Sequence, residues 1–186
     1  VAIESAALPR LILIVPLLLS ASFATGCKSR EPDLAAYTEE EAASPPRAAA
    51  GIQVADPRAA PQLVSGWWDV EDHAWRWTAR KFAAVLRTPI GAARHGATLR
   101  FRFTLPDVVF SHFKSVTLSA SVKGRPLAPE TYRRPGAATY AREIPADLFS
   151  EPSVRIDFGL DNAFSPGNGD PRELGLIAHR LGLESQ

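Results

Sequence analysis

A chain of 186 residues with 46% apolar and 22% charged residues has room for one globular domain plus a further segment. The formal net charge is +1, and from Gln62 onward sixteen Lys and Arg stand against thirteen Asp and Glu with no long basic run, so nothing in the charge argues for a nucleic-acid partner. The single cysteine, Cys27, excludes an internal disulfide, and the fold must rest on its core. Sixteen prolines and twelve glycines suit short strands and turns better than a helical bundle.

In chain order, the first segment reads as an address. Arg10 precedes an apolar run, Leu11 to Leu19, and small residues follow up to Gly26 and Cys27. This is the order of a signal peptide over residues 1–26. The run is too short to span a bilayer, and Pro16 interrupts it. Ala24-Thr25-Gly26-Cys27 resembles a bacterial lipobox, with Ala24 where Leu is usual. The resemblance implies acylation (palmitate) at Cys27 and anchoring in a membrane of the bacterial envelope. Lys28 follows the cysteine in place of the Asp of inner-membrane retention, which, in a Gram-negative host, points to the outer membrane.

Residues 27–61 then form the expected tether. Ten of the 34 residues after Cys27 are Ala and five are Pro, with acidic Glu39-Glu40-Glu41 among them. Such a stretch buries too little apolar surface to offset its ordering entropy. A flexible chain of that length has ends roughly 30 Å apart.

Residues 62–186 form the expected domain. Apolar and polar residues alternate in Leu99-Arg100-Phe101-Arg102-Phe103-Thr104. They alternate again in Val116, Leu118, Ala120 and Val122, and in Val154, Ile156, Phe158 and Leu160. Period two marks half-buried antiparallel strands. Lys123-Gly124-Arg125-Pro126 reads as a tight turn, and Pro145 opens one helical turn. Residues 161–171 form a polar loop, and 173–183 read as a last strand. Seven or eight short strands predict an all-β fold, an antiparallel β-sandwich of jelly-roll-like type.

Chemistry is sparse. The four histidines have no metal-ligand spacing, so neither a metal nor any other cofactor is expected. Asp161, Asn162, Asn168 and Asp170 supply oxygen atoms, but turn chemistry explains them more simply than calcium does. No G-x-S-x-G occurs. Ser111 and His112 are neighbours, and on a strand they would point to opposite faces. No pair of carboxylates stands out, so no enzyme is expected.

Aromatics carry the main signal: Trp67, Trp68, Trp75 and Trp77 lie within eleven residues. Trp75 and Trp77 share a face that reads as core, while one of the adjacent Trp67 and Trp68 must point outward on an extended segment. Exposed Trp rings can stack on sugars. Arg172 can pair with Glu71 or Asp69, or donate to a ligand.

The blocks from Gly66 to Glu71, Trp75 to Thr78, Phe103 to Pro106, Val154 to Phe158 and Asp170 to Leu176 together resemble a family. It is the β-sandwich domain family of uncharacterised acidobacterial-type secreted proteins, similar to modules that accompany glycosyltransferases. The resemblance implies a jelly-roll-like sandwich in a glycan-associated setting and assigns no ligand site. The reading that follows is a lipid-anchored, non-catalytic module that binds envelope polysaccharide through Trp67, Trp68, Glu71 and Arg172. The alternative is an assembly lipoprotein that docks on another envelope protein through an edge strand.

Overall fold

The structure, a computed structural model, describes residues 48–167 and 169–186. The expected signal peptide, Cys27 and residues 28–47 of the expected tether lie outside them.

Nine antiparallel strands build the fold: β1 Gly51–Gln53, β2 Leu63–Glu71, β3 Trp75–Arg87, β4 Ala97–Leu105, β5 Val116–Val122, β6 Arg125–Tyr132, β7 Gly136–Ile144, β8 Ser153–Leu160 and β9 Ile177–Ser185. They form one sheet in the order β6-β5-β8-β3-β9-β4-β7, with β1 added to β9 and β2 to β3. The 13-residue β3 makes the corner of the sandwich. Arg76 and Trp77 at its start pair with β9, while its second half, Lys81 to Arg87, pairs with β8. The path comes close to closing at its ends. Tyr140 of β7 donates its hydroxyl to the Ala128 carbonyl of β6 at 2.8 Å, and Arg142 Nε donates to the same oxygen at 2.7 Å. Partial closure leaves less unpaired edge for stray pairing.

The all-β antiparallel sandwich is the fold expected from alternation, and the alternation explains its core. In β4, Ala97, Leu99, Phe101, Phe103 and Leu105 are buried while Arg100 and Arg102 face solvent. Val116 to Val122 and Val154 to Leu160 bury their alternate residues in the same way. The two faces meet around rings: Phe82 stacks on Phe158 at 4.8 Å, and Phe101 lies 5.3 Å from Phe158 and 5.1 Å from Phe103. The turn after Pro145 is a short 3-10 helix, Ala146–Leu148.

Four expectations are corrected. The fold takes in residues 49–61, which composition assigns to the tether. Gly51 and Ile52 pair with Gly182 and Leu181, and Val54 N–H donates to His179 O at 3.0 Å. Gln62, nearly buried at the end of a 3-10 helix (Pro57–Gln62), bonds both amide atoms to Ala49 and donates to Val85 O. A strand that borrows its hydrogen bonds from β9 needs few large apolar residues of its own, and Ile52 and Val54 suffice.

The second correction concerns the last strand, which begins at Ile177 rather than Glu173. Residues before it run beside β3 through Gly175 N–H to Thr78 O and Thr78 N–H to Leu176 O. Third, Trp75 and Trp77 are half-buried and stand outside the core cluster, while Thr78 beside them is buried. Fourth, Ser111 and His112 lie on a helix rather than a strand. Two short α-helices occur among the described residues besides the two 3-10 helices: α1 Ala92–His95 and α2 Asp107–His112.

Candidate functional site

The loop between β8 and β9 is fastened at each step. Asp161 accepts Thr117 N–H at 2.7 Å, and Asn162 Nδ2 donates to Ser115 O at 3.1 Å. Phe164 and Leu174 then exchange backbone hydrogen bonds of 2.8 and 3.0 Å, and Gly167 and Asp170 do the same nearer the tip. The outcome is a small hairpin that holds Phe164 half-buried, packed against the edge of the core with its ring 5.6 Å from Phe113. Glu173 ties its base: its carboxylate accepts Arg80 N–H, and its carbonyl accepts the Trp68 indole N–H at 2.7 Å.

Arg172 is fixed within this hairpin. Its Nε and Nη2 donate to Asp170, at 3.0 and 2.8 Å, and its Nη1 donates to Glu71 Oε1 at 2.6 Å. The bidentate contact sets the plane of the guanidinium. Hydrogen bonds from the Arg172 side chain and backbone hold the Asp170 carboxyl below its ordinary range. The same pairing, first with Asp170 and then with Glu71, raises the guanidinium further above its already high value. Arg172 therefore stays charged and oriented, and solvent reaches about 29% of its side chain.

A cleft of about 250 Å³ opens beside this cation. Its walls include Trp77, His112, Phe164, Leu174, Asp170 and Arg172, with the exposed Val108 at the rim. Trp77 stands edge-on to Trp75 at 6.0 Å, and His112 stands edge-on to Phe164 at 5.2 Å. The cleft thus joins aromatic rings to one oriented cation and one carboxylate. Rings present apolar faces, and the charged groups accept from or donate to hydroxyls.

Ser111 Oγ and His112 Nδ1 are 2.9 Å apart on α2, so they do touch. The hydroxyl has one proton, which it donates to Val108 O at 2.7 Å, as serines late in helices commonly do. Val108 O also lies 3.1 Å from His112 Nδ1, so both side chains are fastened to the same carbonyl at the end of α2.

The residues expected from sequence fall into two places. Of the two carboxylates offered as partners of Arg172, Glu71 and Asp69, the structure pairs it with Glu71, and Trp68 fastens the residue next to Arg172. Trp67 lies apart. Its indole N–H donates to Ala83 O at 2.7 Å, and its ring packs edge-on against Phe82 at 5.1 Å and Phe101 at 6.3 Å. Sequence reasoning missed Trp77, His112 and Phe164 as partners in one cleft. The signal available was Phe164, a large ring in an otherwise polar loop. Among the described residues no three metal-ligating side chains gather at one point.

No protein-family model matches the chain, and no curated protein matches it, so the family resemblance stays an expectation. Several solved structures are similar in part, two of them as follows. One is described as "CBM4 structure and function" (13% identity, TM-score 0.33, covering 73% of this chain and 85% of that one). The other is "The structure of CBM51-2 and INT domains from Clostridium perfringens ZmpB" (12% identity, TM-score 0.31, 72% of this chain and 28% of that one). With scores this low, the class of the protein, an antiparallel β-sandwich, is defined by its own strand pairing.

Proposed function

We propose that this chain is a non-catalytic glycan-binding β-sandwich whose site is the cleft between Trp77 and Phe164. The observation that carries the reading is the pairing of half-buried aromatic rings on a cleft wall with a guanidinium held rigid by two carboxylates. Sugars present apolar C–H faces and polar hydroxyl edges, and the cleft offers a counterpart to each. Rigid polar groups lose little entropy on binding. In this reading Trp68, Glu71 and Asp170 position Arg172 and the hairpin, Arg172 donates to hydroxyls, and Trp67 belongs to the core.

The experiment is a glycan array probed with the full chain and its Trp77→Ala variant. Wild type should be retained on a defined glycan class. The variant should bind it about tenfold more weakly, equivalent to about 1.4 kcal/mol for one lost ring contact, with its melting temperature close to wild type. A folded wild type that binds no glycan would contradict the reading and favour docking on an envelope protein.

The proposal includes the setting: a lipoprotein held to the bacterial outer membrane through Cys27. The order of Arg10, the apolar run and Cys27 supports it. Cells fed labelled palmitate should incorporate label into wild type and not into Cys27→Ser. Equal labelling of both would contradict the anchor.

A further inference from the structure

A second surface stands apart from the cleft and shares no lining residue with it. On the solvent side of β1, β9, β4 and β7, Gln53, Arg180, Arg102 and Thr139 stand in a row across four strands. Arg102 and Arg180 are direct cross-strand partners, and both are exposed. Like charges placed so, with Cβ atoms about 5 Å apart, repel each other. Arg100, two residues before Arg102, is neutralised by Glu184 at 2.7 Å. Neither Arg102 nor Arg180 has an ion pair or a side-chain hydrogen bond to any described residue. The fold leaves two adjacent cations unanswered.

The surroundings define what answers them. A hollow of about 530 Å³ opens on one side of the arginine pair and one of about 330 Å³ on the other, and both include Arg102 and Arg180. They make an open trough across the strands, suited to a chain rather than a single ion. Thr104 Oγ1 and His179 Nε2, 2.9 Å apart, add polar groups to one wall. Burial, then the charge of Arg102, lowers the His179 pKa, so the ring is a neutral hydrogen-bonding group near pH 7. The one aromatic residue of the lining besides His179 is Phe103, which is 1% exposed and offers no ring for base stacking. Single-stranded nucleic acid relies on such rings, and a duplex asks for many more cations.

We propose that this trough is a second binding face that takes an acidic polysaccharide, with a sugar carboxylate seated between Arg102 and Arg180. Guanidinium groups recognise carboxylates through paired N–H donors, and the anion relieves the repulsion between the two strands. The face extends the function beyond the aromatic cleft, and the two sites fail independently.

The test is calorimetric titration of the full chain with polygalacturonate, its fully methyl-esterified form and a dT20 oligonucleotide. Wild type should bind polygalacturonate, more weakly as salt rises, and bind the other two at least tenfold more weakly. The Arg102→Gln/Arg180→Gln variant should lose at least tenfold while melting no lower than wild type. Arg180→Lys, which keeps the charge without the fork, should lose less. The double variant should still bind the glycan that the array assigns to the aromatic cleft, because neither arginine lines that cleft. The proposal is overturned if wild type ignores polygalacturonate, if the ester or oligonucleotide binds equally well, or if the double variant binds unchanged.

Discussion

Phe101→Ala should destabilise the domain by about 3–5 kcal/mol, the range for removing a large ring from a packed core. Phe101 is fully buried, and four rings surround it: Phe103, Phe158, Phe82 and Trp67, at 5.1, 5.3, 5.7 and 6.3 Å. These rings come from β2, β3, β4 and β8, so the cavity opens where both halves of the sandwich meet. Little of it can close by local collapse, because each neighbour is held in a different strand. Urea unfolding followed by far-UV circular dichroism measures the loss. A change below about 1 kcal/mol would mean that Phe101 is not at the centre of the core.

Gly66→Ala should cost about 2–5 kcal/mol, combining left-handed strain of about 1–2 with overpacking of about 1–3. Gly66 has φ of 72°, and a Cβ there would lie 2.1 Å from Lys81 O and 2.7 Å from Phe82 Cα. Both are backbone atoms of β3, so no side chain can swing aside. The register between β2 and β3 slips across this residue, between Ser65 and Trp67, and again before and after it, between Leu63 and Ser65 and between Trp67 and Val70; the glycine lets β2 lie close at the central slip. Gly124→Ala separates the two causes. Gly124 has φ of 78° with open space around its would-be Cβ, so it should lose only the strain, about 1–2 kcal/mol. Equal losses at the two positions would contradict the close approach at Gly66.

The parts of the fold legible in sequence are those where one strand face is buried. β4, β5 and β8 each write a period of two, because one face meets the core and the other meets water. β3 breaks that rhythm with Phe82, Ala83 and Ala84 buried in succession, since its second half is covered on both faces. β1 was hidden for the opposite reason: three residues in an Ala- and Pro-rich stretch take their stability from β9 rather than from their own side chains. α2 is a short turn after Pro106 in which Val108 and Val109 mimic a strand.

The candidate site was legible as a pair and not as a cleft. Arg172 and Glu71 are 101 residues apart, and the charge pairing was foreseeable because Arg172 sits in a polar loop that must return to the sheet. Trp77 was assigned to the core because it shares a face with Trp75. At the corner of the sandwich that face is only partly covered, and no local pattern reports a corner. Trp67 and Trp68 look alike in sequence, yet one is held by Ala83 O and the other by Glu173 O.

The most direct test of the central claim follows the four tryptophan indole N–H signals of the full chain by NMR during titration with the glycan that the array retains best. The signals of Trp67 and Trp68, whose protons are held by backbone carbonyls, should stay near their free positions. The signal of Trp77, on the wall of the cleft, should move and saturate with ligand. A shift confined to Trp67 or Trp68, or no indole shift at saturation, would contradict a glycan site between Trp77 and Phe164.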